Sequence, residues 1–524
     1  MRRGIDQLDL IVIVGYIAIL IAIAAYHSRH LRRQDDMFLA GRSMSRWPIA
    51  ISMYMAVFST NSFLGLTGWV NRPDGSVWIG LQTAGIVLSI PLITWLYPTL
   101  FFRLRITSAY EYLSLRFNNA TRNAATAFFL SSRFMWMGTI LYSASLVVSQ
   151  MVGLTAASGQ VWAIVVIGTM ATGLALVGGM RAVIWTDVVQ FCVLMSGVTL
   201  MIVMGLNLSG GVRQVLATGI EHHRLTPPAL FSLTDNLSVT SGLLLGFVGM
   251  LSMCGADQVL LQQYLTARSD REAKASLWRN GLFLKPVSLI YPALGLILFA
   301  YYRSHPDAAR LLRTPDDAVP VYIMYVLPTG VRGLITIAMA AAVLTSMQSG
   351  LTAVSAAVQV NFLRPLLKRE LTDVEAVRLA RILLVVSGML VVGSAVWVRS
   401  LGQQNSILQI LNIVMYPFTG VLLGIFLLGI LTHRANSPGV LIGSAVGFLG
   451  TIALPAAQFF WPDWEFAGLL SRISTFYYGF VGAVLTLAVG YAASFAFAAP
   501  SPQHIVGLTR RSLPEETPAA IVGR

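Results

Sequence analysis

The sequence predicts an all-α polytopic membrane protein of about thirteen transmembrane helices, and three observations carry that prediction. Of 524 residues, 56% are apolar and 11% charged, and the mean hydropathy is +0.71, so lipid rather than water is the solvent for most of the chain. Apolar runs long enough to cross a hydrocarbon layer of about 30 Å recur from end to end. Two of those runs are interrupted by polar or glycine-rich segments, as helices that bind a solute inside a membrane are.

In order, the runs lie near 8–27, 47–70, 77–102, 124–153, 159–180, 183–208, 238–264, 281–302, 331–359, 379–398, 406–432, 438–461 and 475–498. The first follows Arg2 and Arg3 in the manner of a signal peptide. No small-residue cleavage site comes after it, and it ends in Ser28-Arg29-His30-Leu31-Arg32-Arg33, so it is expected to stay as helix one. The second passes from Tyr54-Met55-Ala56-Val57-Phe58 into Ser59-Thr60-Asn61-Ser62. Four successive polar residues circle a helix instead of marking one face. Either protein encloses that helix on all sides, or it unwinds there and offers backbone groups to a ligand. The seventh run has Gly246, Gly249 and Gly255 around Met250–Cys254, then Asp257-Gln258. Each interrupted run opens a group of five spans. That order predicts a five-plus-five inverted-repeat transporter core with discontinuous first helices and a site between the repeats.

No soluble linker divides the chain. The expected parts are 1–46 (first helix and connector), 47–208 (first repeat), 209–432 (second repeat with an outer loop), 433–498 (two further helices) and 499–524. This last stretch, with Pro500, Pro502, Pro514 and Pro518, is expected to be a largely disordered tail.

The net charge of +14 does not point to nucleic acid, because the arginines sit in short connectors and not on one face. With the N-terminus outside, the inner connectors hold 22 Lys/Arg and the outer ones 10. The bias predicts an outside N-terminus and a cytoplasmic C-terminus in the plasma (inner) membrane. Cys192 and Cys254 both fall in spans, which supports neither a disulfide framework nor a cysteine metal site. His222-His223 has only Glu221 beside it as a further ligand. Without a Ser/His/Asp set, phosphate loop or metal constellation in a plausible pocket, the chain is not expected to be an enzyme or to need an organic cofactor. A transporter-like sensor is the alternative class, but with about 26 residues after the last span no signalling domain is expected there, unless a separate partner supplies one. The oligomeric state is not legible.

Charge inside a bilayer is costly and usually functional. Asp187, Asp257, Arg133 and Lys285 are the ionisable residues well inside spans. Asp187 either attracts a cation or pairs with Arg181. Arg133 either meets a solute anion, its fork matching a carboxylate, or snorkels to the cytoplasmic surface. Span nine carries Thr345 and Ser346, whose hydroxyls either share an ion with the Ala342 carbonyl one turn earlier or bond back to their own helix.

Several ordered strings over about 35–450 resemble the sodium/solute symporter family. They are Phe38-Leu39-Ala40-Gly41-Arg42, Thr107-Ser108-Ala109-Tyr110-Glu111-Tyr112-Leu113, Gly178-Gly179-Met180-Arg181 through Trp185-Thr186-Asp187 with Gln190, and Gly255-Ala256-Asp257-Gln258 leading to Gln262-Gln263-Tyr264-Leu265. The Gly-Gly to Trp-Thr-Asp string is the most specific. Within the family the chain looks most like the iodide, monocarboxylate and multivitamin branch, through Met137–Tyr142, Ser149-Gln150, the segment at Gly255, and Gly420–Phe426 leading to Asn436-Ser437-Pro438-Gly439-Val440.

The resemblance implies sodium-coupled import of a small organic solute, an anion such as a monocarboxylate, vitamin or sialic acid, with a sugar or amino acid as the alternative. It implies a sodium site of Met55, Phe58, Ala342, Thr345 and Ser346, with Asp187 on the inner release route. Members with a second sodium place a hydroxyl where this chain has Ala342, so one ion is expected. Candidate solute contacts are Ser59, Thr60, Ser62, Gln82 and Arg133, the last matching a helix on which a sialic-acid carrier holds the carboxylate with an arginine. Asp257 and Gln263 depart from the branch, which has Asn and Arg at these places, and Asp257 is expected to serve structure or gating, with contact to the solute or a proton as the alternative.

Overall fold

The computed structural model describes residues 6–28, 34–57, 60–152, 157–367, 371–401, 407–460 and 467–512. Among them every regular element is a helix, apart from one isolated bridge between Met44 and Ala267. The main helices are α1 (Gln7–Ser28), α2 (Arg46–Val57), α3 (Thr60–Asn71), α4 (Leu81–Leu96), α5 (Ala109–Arg116), α6 (Asn119–Val152), α7 (Ala157–Leu208), α8 (Val239–Gly255), α9 (Gln258–Leu265), α10 (Ile290–Ser304), α11 (Val331–Val358), α12 (Asp373–Leu401), α13 (Ile407–Leu431), α14 (Ser437–Phe460) and α15 (Tyr478–Ser494).

Nine helices among the described residues are long and apolar enough to cross a membrane, and two bent pairs raise this to eleven. The expected thirteen is not reached by that measure. Ser, Thr and two arginines dilute α6, and only Pro417–Leu431 of α13 counts as a shorter apolar helix.

Both interrupted spans are bent. Arg46–Val57 meets Ser62–Asn71 at 56°, and Val239–Gly255 meets Gln258–Leu265 at 60°. In the second the break falls at Ala256–Asp257, later than the expected glycine cluster. Gly246 instead serves packing inside a continuous helix. A Cβ there would overlap the Gln82 carbonyl, and one at Gly85 would overlap the Leu243 carbonyl. Small residues at this crossing let the α4 and α8 backbones touch.

The 52-residue α7 contains two spans, because Gly179 takes φ 59°, ψ −175° and kinks it. That conformation is one a side chain rarely adopts, which gives the Gly-Gly string a physical reason. The described fold is wound around α11. In the stretch containing it, 93% of the most apolar window is buried, against 22–56% for the other eight unbroken spans. α1 is tied to the start of α11 by a buried carboxylate. Asp9 accepts hydrogen bonds from Arg332 Nε (3.0 Å) and Nη2 (2.7 Å) and from the N–H groups of Gly330 (2.7 Å) and Gly333 (2.8 Å).

The tail differs from its expectation as far as residue 512. Tyr112 donates to the Leu508 carbonyl (2.9 Å), the His504 ring nitrogen lies 2.7 Å from the Leu115 carbonyl, and Arg510 covers the Trp95 ring. A proline-rich stretch therefore gains order from a surface to lie on, here α4 and α5. Residues 513–524 lie outside the described residues.

Candidate functional site

The site is built where α2 ends. Its last two turns bury Ser52, Met53, Tyr54, Met55 and Ala56, so the end of this helix, where backbone carbonyls run out of intrahelical partners, lies inside protein. On α11, Ala342, Thr345 and Ser346 are buried too. Thr345 Oγ1 donates to the Ala342 carbonyl at 3.3 Å, so the back-bonding alternative is present as a long contact. The same contact keeps two oxygens of the expected sodium set on one face. Of that set, Phe58 lies outside the described residues.

Asp187 is fully buried on the second half of α7. It accepts from the Ser52 hydroxyl, and its other oxygen, Oδ1, has no partner among the described residues. Arg181, the alternative partner, turns away to Ser43 and the Ala40 carbonyl. Ser52 stands three residues before Met55, which puts it on the same face of α2. Asp187 is thereby tied to α2 about one turn before Met55, with an unmet acceptor. Hydroxyl, carbonyl and carboxylate oxygens are the donors that a hard monovalent cation takes. The role of Ser52 was legible in that i, i+3 spacing, yet sequence reasoning did not single it out.

Arg133 does not snorkel. It is 2% exposed, its Nη2 donates to Asp257, and its guanidinium lies over the rings of Trp136 (4.5 Å) and Phe129 (5.7 Å). Asp257 begins α9, accepting from the Val259 N–H (2.8 Å). Gln263 donates to Ser349 at 3.5 Å. Lys285, to which the sequence assigned no role, is buried, with Nζ 5.3 Å from the centre of the Tyr54 ring. No carboxylate pairs with it among the described residues.

Of the solute candidates, Ser62 and Gln82 are half-buried at the start of α3 and in the first turn of α4. Thr60 is the first residue of α3, and Ser59 lies outside the described residues. Arg133 belongs to a different layer. Its stem would touch a Cβ at Gly350, one turn beyond Ser346 on α11.

The chain is 26% identical over 481 residues to the sodium/sialic acid symporter of Proteus mirabilis, covering 91% of this chain and 93% of that one. It is 30% identical over 429 residues to the human sodium/iodide cotransporter, covering 79% and 64%. In structure it resembles the substrate-bound, outward-open form of a Na+-coupled sialic acid symporter, with a TM-score of 0.83 at 24% identity over 94% of this chain and 99% of that one. Residues 37–447 match the sodium:solute symporter family. The protein belongs to that family, and its activity is sodium-coupled symport of a small-molecule solute across a membrane.

Proposed function

We propose that the solute is a small organic anion carried inward with one sodium ion across the plasma (inner) membrane, the N-terminus outside and the C-terminus cytoplasmic. The observation that carries the anionic reading is Lys285, a buried ammonium beside the α2 break with no carboxylate partner among the described residues. A buried charge is stable only when compensated, and a solute carboxylate is a compensation that arrives and leaves with transport. Arg133, the other intramembrane cation, is already neutralised by Asp257, so Lys285 takes the place first given to that arginine. Ser59, Thr60, Ser62 and Gln82 supply hydroxyl and amide groups around the solute. Met55, Phe58, Ala342, Thr345 and Ser346 hold the sodium, and Asp187 receives it on the way in. The sialic acid and monocarboxylate carried by relatives, by name, both bear a carboxylate.

The test is uptake into proteoliposomes of labelled monocarboxylates, vitamins, sialic acid, sugars and amino acids, with sodium or choline outside at fixed potential and pH. We expect sodium-dependent uptake of a carboxylate, with Lys285→Gln weakening its affinity at least about 10-fold, or about 1.4 kcal/mol. Uptake confined to uncharged sugars, or Lys285→Gln with unchanged affinity, overturns the anionic reading. The orientation is tested separately. A cysteine replacing Arg313 should react with an impermeant thiol reagent on intact cells, whereas one replacing Asp373 should react only after lysis.

A further inference from the structure

Beyond the sodium set, one turn along α11, lies a polar layer that no transport step described above uses. It consists of Ser349 and the Gly350 backbone on α11, Arg133 on α6, and Asp257 and Gln263 at and within α9. All eight residues of α9 are buried. The helix is strapped to the connectors of one face by side chains that reach backbone groups. Gln258 accepts from the Ala109 N–H and donates to the Thr107 carbonyl (both 2.8 Å), Gln262 donates to the Phe38 carbonyl (2.6 Å), and the Thr266 carbonyl accepts from the Met44 N–H (3.1 Å). These connectors follow spans one and three, so they share the face assigned above to the cytoplasm. A solute leaving the sodium level toward that face meets α9 first.

The Arg133–Asp257 contact is the ion pair at the start of this plug. Asp257 divides its carboxylate, one oxygen capping α9 at Val259 and the other taking Arg133 Nη2. Arg133 Nε and Nη1 are buried with no partner among the described residues. A buried pair that leaves two donors unmet recovers little of its desolvation cost, so water entering the layer competes well for both charges. The neutral alternative, Asn at position 257, can still cap the helix but cannot hold the guanidinium as strongly.

We propose that Arg133 and Asp257 form a charge latch that keeps α9 seated and the cytoplasmic side of the bundle closed, and that breaking this pair is part of opening to the inside. The proposal rests on the orientation given above and is independent of the solute's charge. Loss of the pair should favour the inward-open state while leaving the sodium ligands in place.

The test uses a Ser349→Cys reporter in the full-length protein with Cys192→Ser and Cys254→Ala, in vesicles of either orientation, labelled by an impermeant maleimide. Asp257→Asn and Arg133→Gln should each raise the labelling rate about 10-fold or more from the cytoplasmic face alone. The double variant should be no faster than the faster single, because both remove one contact. Asp257→Glu, which keeps the charge, should label at the parental rate, and sodium should still slow labelling in Asp257→Asn. Parental labelling in folded Asp257→Asn, or acceleration from both faces alike, overturns the latch. Acceleration confined to the opposite face supports the latch and overturns the orientation instead. If Arg133→Gln does not fold, the pair Asp257→Asn and Asp257→Glu decides the matter.

Discussion

The two bent spans turn through nearly the same angle, 56° at the end of α2 and 60° at the end of α8, but the groups that face each break are opposite in kind. At the first, the C-terminal end of α2, the negative end of a helix, is buried, as are Ala342, Thr345 and Ser346 of α11 proposed to share its ion. The buried cation near that break, Lys285, has no carboxylate partner among the described residues, and Asp187, tied to α2 through Ser52, has an unmet oxygen. At the second, the N-terminal end of α9 is already met by its own carboxylate, Asp257, and this in turn by Arg133. An unwound helix in a membrane thus needs compensating groups in either case. On the proposed reading, mobile ions supply them at the first break, making it a binding site, and side chains supply them at the second, making it a closure.

The sharpest way to break this contrast is to remove oxygens from the first site. Thr345→Ala and Ser346→Ala should each raise the sodium concentration for half-maximal uptake roughly 5- to 150-fold, if a lost buried polar ligand is worth about 1–3 kcal/mol. Solute preference should stay as it was, although coupling makes full titrations of both ligands necessary. Unchanged sodium titrations in both variants, at normal protein levels, would make the first break a packing feature like the second.

A smaller effect is expected from crowding the second break. A Cβ at Gly255 would enter the Tyr97 ring, and filling a packed site costs typically about 1–3 kcal/mol. Gly255→Ala should therefore lower the thermal midpoint in detergent while sodium half-saturation in surviving protein stays near the parental value. A sodium titration shifted as far as in Thr345→Ala would show that the two breaks are not separate.

The first break could be read from the sequence because four polar residues in a row do not mark one face of a helix, although three of them, Thr60, Asn61 and Ser62, go on to begin α3. The second falls between Gly255 and Gln258, at the end of the segment the sequence marks, while Gly246 earlier in that segment packs a continuous helix. Glycine is used both to open helices and to pack them, and only the neighbouring helix decides which. The α4 backbone opposite Gly246 is not visible in a one-dimensional pattern. Charge pairing was lost for the same reason. Asp257 and Gln263 stood out as departures from the family, but Arg133 is 124 positions from its partner, and without the fold its burial looked equally like snorkelling or solute binding. Ser52 beside Asp187 is the opposite case, a partner of Asp187 that a helical-face argument from Met55 would have reached.

The smallest effect separates the two duties of Asp257 itself. Its Oδ1 accepts the Val259 N–H at 2.8 Å, and its Oδ2 holds Arg133. Asp257→Asn keeps an oxygen acceptor for the cap and loses the charge, whereas Asp257→Ala loses both. The difference in stability between these two variants, not the loss in either alone, reports the cap. Replacing an Asn or Asp cap by Ala costs about 1 kcal/mol, so Asp257→Ala should unfold in urea with a free energy lower than that of Asp257→Asn by about that amount. Both strand the same arginine, which cancels the charge term from the comparison. Equal stabilities would mean that α9 is held at its start by the straps from Gln258 and Gln262 alone, and that the carboxylate serves Arg133 only. A difference of several kcal/mol would mean instead that the alanine variant has lost the bend as well as the cap, making Asp257 the residue that sets the break.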